Sequence, residues 1–328
     1  MNPMLPIGRI PPLVAALLTG GLLSVVQWKV SPPMLLAERF IPGSGWAEVV
    51  LLSVYAALVC RAMLDPTRQP KWRRWTWRLF SAVFYGQLLL GLAGIEKCLM
   101  TGKLHLPVPA LIAAGPAYRG GGFFMLGLFL TTVILVGPAW CSHLCYLGAW
   151  DDVAASRVKV PRALPRWVRL GKVAFALAVL FAAFLMGVAG VEGTFAAVAG
   201  GTFGIAGIAI MVLVSARTGA MVHCLFWCPI GLLATWLGRV SPFRLVVESS
   251  CTRCTLCFRA CRYDALAPED LERGRPAASC TLCGDCIRSC RHDSIRYRFA
   301  GLSGPRARTL FIVLVASLHA LFLGLARI

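Results

Sequence analysis

Eight cysteines between residues 251 and 290 fall in two copies of one spacing, C-x2-C-x2-C-x3-C: Cys251, Cys254, Cys257 and Cys261, then Cys280, Cys283, Cys286 and Cys290. Three thiolates on one tight loop can hold three corners of an iron–sulfur cubane, while a short helical turn carries the fourth cysteine to the neighbouring cluster. The ligands are therefore expected to cross. Cys251, Cys254, Cys257 and Cys290 are assigned to one [4Fe-4S] cluster, and Cys280, Cys283, Cys286 and Cys261 to the other. Structural zinc and disulfides fit less well, since zinc knuckles rarely repeat three cysteines at this spacing and disulfides need an oxidising compartment. The bacterial form of the run ends in Cys-Pro, whereas Arg262 and Arg291 follow the last cysteines here. Positive charge beside a cluster stabilises its reduced form, so a raised potential is one expectation and a pair of solvated surface arginines the other.

Two further pairs, Cys141 with Cys145 and Cys224 with Cys228, share a C-x3-C spacing. On an α-helix this i, i+4 spacing puts both thiols on one face, about 6 Å apart along the axis, so the pairs are expected to face each other across neighbouring helices. Four converging thiols suit a third iron–sulfur cluster, a soft metal such as Cu(I), or a dithiol redox pair. His143 and His223 stand beside them as alternative ligands, and ordinary apolar packing is the remaining reading. Cys60 and Cys98 are read as structural.

The elements that position these residues lie in a bilayer. Apolar residues make up 58% of the chain and charged ones 14%, outside the range of a soluble domain. Apolar runs over 11–28, 46–64, 79–95, 122–140, 173–191, 203–222 and 309–326 predict seven spans. The first is read as an uncleaved span rather than a signal peptide, since no small-x-small site follows it cleanly. Threaded from a cytoplasmic N-terminus, these spans leave Lys29, Arg39, Lys97, Lys103, Arg119 and Arg327 outside and the other basic residues inside. The net charge of +19 therefore reports topology, and nucleic-acid binding is not expected. The eight-cysteine cassette then lies in the cytoplasm, where thiols stay reduced.

Glu96 and His105 flank the outer end of the third span and could take the protons of a quinol; a snorkelling Glu96–Lys97 pair beside a solvated histidine is the plainer reading. Asp151 and Asp152 are expected to cap the segment after Trp150. His319, in the last span, reads as a packed histidine.

Paired C-x3-C motifs that each close a span, the second continuing as Cys228-Pro229, followed by a two-cluster cassette, resemble the NapH/NosR class of membrane ferredoxins. The resemblance covers roughly residues 72 to 300, from WRRWTWRLF through PVPALIAAGPAYRGGGFF to the cassette. It implies electron transfer between the quinone pool, cytoplasmic clusters and a redox partner. The copper-handling CcoG proteins are similar in the same motifs. Cys145 departs from the pattern, being followed by Tyr146 rather than proline, and the chain offers no room for a separate flavin-binding domain.

The fold expected is an all-α polytopic membrane protein of about seven transmembrane helices with an inserted cytoplasmic two-[4Fe-4S] ferredoxin-like α+β domain. Residues 1–240 form a six-helix transmembrane domain, 241–300 the ferredoxin domain, and 301–328 the last helix. The expected function is electron relay between quinone and a respiratory redox enzyme, or an iron–sulfur or cytochrome partner, in the bacterial inner membrane. A copper reductase or maturation factor using the C-x3-C pairs and a redox-sensing membrane regulator are the alternatives.

Overall fold

The computed structural model describes residues 8–99 and 106–325. Six of the described helices are long and apolar enough to cross a membrane: Ile10–Lys29, Gly45–Leu64, Phe124–Leu144, Leu170–Val188, Gly193–Thr218 and Pro305–Leu325. Their outward faces carry large apolar side chains such as Leu17, Val54, Phe181 and Ile205, which only lipid would leave unpunished, and together they mark a membrane protein. The helix at the third expected span is not among the six. It starts well before that span and runs Gln69–Leu92, so Lys71, Arg73, Arg74 and Arg78 are wound into it. Pro70 opens its first turn, where a missing N–H costs nothing, and the run WRRWTWR, rich in arginine and tryptophan, continues as helix.

The chain divides into two compact units, residues 1–105 with 304–328, and residues 106–303. In the first, Leu23, Val49, Leu52 and Leu321 form a core shared by three of the long helices. Arg308 closes the C-terminus of Gly45–Leu64, donating to Met63 O at 2.8 Å and Leu64 O at 2.7 Å, where a cation meets the negative end of the helix dipole. His319 is buried and lies 2.9 Å from the Tyr55 hydroxyl, in keeping with a packed histidine.

The second unit joins the helices that carry the C-x3-C pairs to the eight-cysteine cassette. A three-stranded antiparallel sheet in the order β1-β2-β3 brackets the cassette: β1 (Phe243–Val247) precedes it, and β2 (Ile295–Phe299) and β3 (Leu302–Ser303) follow. Register runs from Phe243 opposite Phe299 to Val247 opposite Ile295, and alternate residues of β1 are buried. Tyr297, on the buried face of β2, donates from its hydroxyl to Leu282 O at 2.7 Å and so ties the sheet to the second cysteine loop.

The two cysteine copies repeat each other in backbone as well as in spacing. Arg253 and Leu282 have φ of 55° and 56°, Thr255 and Gly284 58° and 79°, and Asp264 and Asp293 47° and 49°. Left-handed backbone at a non-glycine residue costs on the order of 1–2 kcal/mol. The second copy avoids that cost at Gly284, and the first bears it at Thr255. Thr255→Gly is therefore expected to stabilise this unit by about 1 kcal/mol, less than the full relief because glycine also loosens the unfolded chain. An unchanged or lowered denaturation midpoint of the purified variant would contradict the equivalence.

Candidate iron–sulfur centres

The crossing of the two copies produces two cavities. One is lined by Cys261, Cys280, Cys283 and Cys286, with Leu245, Tyr263 and Leu266 completing its wall. The other is lined by Cys251, Cys254, Cys257 and Cys290 with Leu271 and Ile295. All the cysteines are free thiols. Among the described residues, no three His, Cys, Asp or Glu side chains are drawn together tightly enough for a single metal ion. The thiols of each set share the wall of one cavity, and four such donors are the set that a [4Fe-4S] cubane would need.

Burial sets the chemistry of these thiols. It pushes Cys280 up to about 11 and raises Cys261 and Cys286 further. Each would therefore hold its proton at neutral pH unless a cation displaced it, which is the behaviour of a ligand that ionises only on loading. Local N–H groups are in place to receive the resulting charge. Ala265 N–H donates to Cys261 Sγ and Ser294 N–H to Cys290 Sγ, each at 3.4 Å and each four residues on, and Arg253 N–H reaches Cys251 Sγ at 3.4 Å. Left-handed turns alternating with right-handed ones make such inward-facing amide nests. Cys254 differs from the rest: it is exposed, and the Leu256 N–H followed by lesser contacts, with Arg291 the last of them, holds its thiol below the ordinary range.

The C-x3-C pairs do not form i, i+4 faces of an α-helix. Each lies across a single π-helical turn, Trp140–Leu144 and His223–Trp227, after which the second cysteine leaves in an extended conformation. Cys145 N–H donates to Trp140 O and Cys228 N–H to His223 O, both at 2.9 Å, the i→i+5 bond that identifies the turn. A new helix starts directly after each pair, Gly148–Ala155 and Pro229–Leu237. Gly148 N–H donates to Cys145 Sγ at 3.4 Å, and Gly231 N–H, which donates to Cys228 O at 3.1 Å, also favours the Cys228 thiolate. The wider turn lets one thiol point from the helix and the next from the following N-terminus, where a thiolate is favoured.

The four thiols lie close enough to act on one another: Cys224 feels Cys145, Cys228 and Cys141, and Cys141 feels Cys145 and Cys228. Two charged side chains join them. Asp151, fully buried, accepts from Cys224 N–H at 3.0 Å, and Lys172 lies within reach of Cys141, Cys228 and Cys224. Asp151 thus holds the opposite π-turn rather than capping its own helix as expected. Lys172 was legible as a cation in the first turns of an apolar span, a position where charge is seldom idle. His143 is buried with Nδ1 2.9 Å from Ser142 Oγ, and His223 packs on Gly207 with its pKa pushed down to about 4, burial being the main cause.

The cassette and the π-turns are joined directly. Ser142, inside the first pair, donates to Thr281 O, inside the second cysteine copy, at 2.9 Å. Gly137, with φ of 67°, has no Cβ to meet Leu282 Cδ1, which would stand at 3.0 Å. Arg262 donates to Ala155 O at 2.5 Å and Gly219 O at 2.9 Å, while its own carbonyl accepts from Met221 N–H at 3.0 Å. Its role is therefore that of an anchor, not of a loose surface cation. Glu96 is exposed in the short turn Glu96–Cys98, and His105 lies outside the described residues.

A family model described as a 4Fe-4S binding domain matches residues 120–165 and 201–247. These two segments hold the C-x3-C pairs and end before Cys251, so they contribute independently of the cassette spacing. No curated protein and no solved structure matches the chain. Family match and cysteine-lined cavities together identify a 4Fe-4S-binding protein of ferredoxin type.

Asp151→Ala would leave Cys224 N–H buried without its acceptor, at a cost of about 1–3 kcal/mol. The purified variant is therefore expected to unfold at a lower denaturant midpoint than the wild type. An unchanged midpoint would show that the carboxylate does not hold the turn.

Proposed function

We propose that this chain is a membrane-bound iron–sulfur electron-transfer subunit that relays single electrons between the quinone pool and a redox partner in a respiratory system. The observation that carries this reading is the contact between Ser142 and Thr281, which sets the four-thiol site of the π-turns directly against one cassette cavity. In this reading Cys141, Cys145, Cys224 and Cys228 hold one [4Fe-4S] cluster, Cys261, Cys280, Cys283 and Cys286 a second, and Cys251, Cys254, Cys257 and Cys290 a third. When bound, each cluster supplies one-electron storage with little movement of the protein. The chain's own residues bury Cys141, Cys145 and Cys228 of the first site and Cys286 of the second, donate N–H groups to Cys145 and Cys261, and leave the third site open at exposed Cys254, where electrons pass to or from the partner.

The basic residues flanking the long helices favour a cytoplasmic cassette in the bacterial inner membrane. The helix Gln69–Leu92, roughly 36 Å long at 1.5 Å per residue, serves as the seventh crossing with its arginine–tryptophan collar at the inner interface. On the other side Glu96 takes the protons that a quinol releases. The order and spacing of the cysteine motifs, which resemble those of the NapH/NosR-type membrane ferredoxins, support this reading.

Anaerobically purified protein is expected to carry about twelve irons with matching acid-labile sulfide, and Cys224→Ser about eight. Menaquinol or ubiquinol added to the wild type should produce the EPR signal of a reduced cluster. Copper in place of iron at the π-turn cysteines would favour metal handling instead, and iron-free protein or clusters indifferent to quinol would overturn the relay.

A further inference from the structure

The helix Arg166–Val188 turns much of its surface outward, with Leu170, Val173, Leu177 and Phe181 exposed. Lys172 faces the other way and is 8% exposed. Its Nζ stands 3.8 Å from where a Cβ on Gly231 would lie, over the first turn of Pro229–Leu237. That Cβ would also meet Cys224 O at 2.6 Å, so the glycine keeps the second C-x3-C turn closed around the space that the ammonium enters. Next to Lys172, Gly171 lets Phe226 of the same π-turn approach, its ring carbon 3.2 Å from the missing Cβ. The lysine backbone and head group are thus both fixed against the turn that carries Cys224 and Cys228.

An ammonium taken out of water needs negative charge nearby, and the groups whose charge reaches this one are Cys141, Cys228 and Cys224. As thiols they offer it little. As four thiolates around a [4Fe-4S] core they carry net negative charge, which increases by one when the site accepts an electron. A fixed positive charge at short range in a poorly screened site stabilises the more negative state by the larger amount.

We propose that Lys172 is the charge-setting residue of the π-turn centre, a fixed ammonium that raises its reduction potential above that of the same four thiolates alone. This rests on the reading that Cys141, Cys145, Cys224 and Cys228 hold a cluster. No bond is made or broken at the lysine. A one-electron donor, dithionite in the test, reduces the centre while the ammonium keeps its proton. Lys172 acts through the ligands' field, so it is a positioning residue of charge and touches no substrate.

The test uses full-length protein purified anaerobically, with iron counting and EPR-monitored redox titration of wild type, Lys172→Met and Lys172→Arg. In Lys172→Met the iron content is expected to hold while the reduction equilibrium of one centre falls at least tenfold, 59 mV for a one-electron couple. The other two midpoints should stay in place, and Lys172→Arg, which keeps the charge, should restore the first to within about threefold. A methionine variant with full iron and an unmoved midpoint overturns the proposal, as does an arginine variant displaced as far as the methionine one. If the methionine variant loses the centre altogether, the arginine variant decides: native iron and midpoint uphold the role of charge, and loss there too assigns the lysine to packing. Wild-type iron sufficient only for the cassette would refute the π-turn cluster itself and the proposal with it, a result distinct from a cluster whose potential ignores Lys172.

Discussion

A thiol taken out of water keeps its proton, and this constraint governs the iron–sulfur half of the molecule. Cys261, Cys280 and Cys286 in the cassette and Cys145, Cys224 and Cys228 at the π-turns all sit where burial raises the thiol above its ordinary range. In the proposed function they become ligands only when iron replaces the proton. The surroundings are built to tolerate the charge that follows, through backbone N–H groups, helix N-termini and Lys172.

One local device recurs at the last cysteine of all four motifs. Cys145, Cys228, Cys261 and Cys290 each end a helical turn and leave it extended, with φ between −91° and −77° and ψ between 99° and 115°. Each also has an N–H a few residues on that favours its thiolate. The spacing between cysteines differs, and so does the turn that precedes them. The conformation of the closing residue is shared because it does two things at once: it swings the thiol away from its own turn and opens room for the next amides to face it.

Spacing of local ligands is legible in a sequence because a short loop fixes it, and the eight cassette cysteines line two cavities in the sets that the spacing suggests. The C-x3-C pairs were equally visible as motifs, yet their backbone was not: the same spacing fits an α-helical face, and only the Trp140 and His223 carbonyls decide for a π-turn. Partners distant in the chain leave no local pattern. Asp151 serves a backbone amide 73 residues away, and Arg262 closes a junction more than a hundred residues from Ala155. The short helix Leu111–Arg119 was not legible because its Gly115-Pro116 pair disfavours helix, and tertiary packing overrode that local preference. The collar of Gln69–Leu92 was legible in composition but not in conformation, since tryptophan and arginine suit a helix as readily as an interfacial loop.

The cassette rests on Gly137, Ser142 and the Gly219–Met221 segment, all of which precede it in the chain. Because synthesis runs from the N-terminus, the platform emerges from the ribosome ahead of the first cassette cysteine. The soluble-looking part of this protein therefore emerges with its support already made, and its folding is tied to that of the helices beneath it.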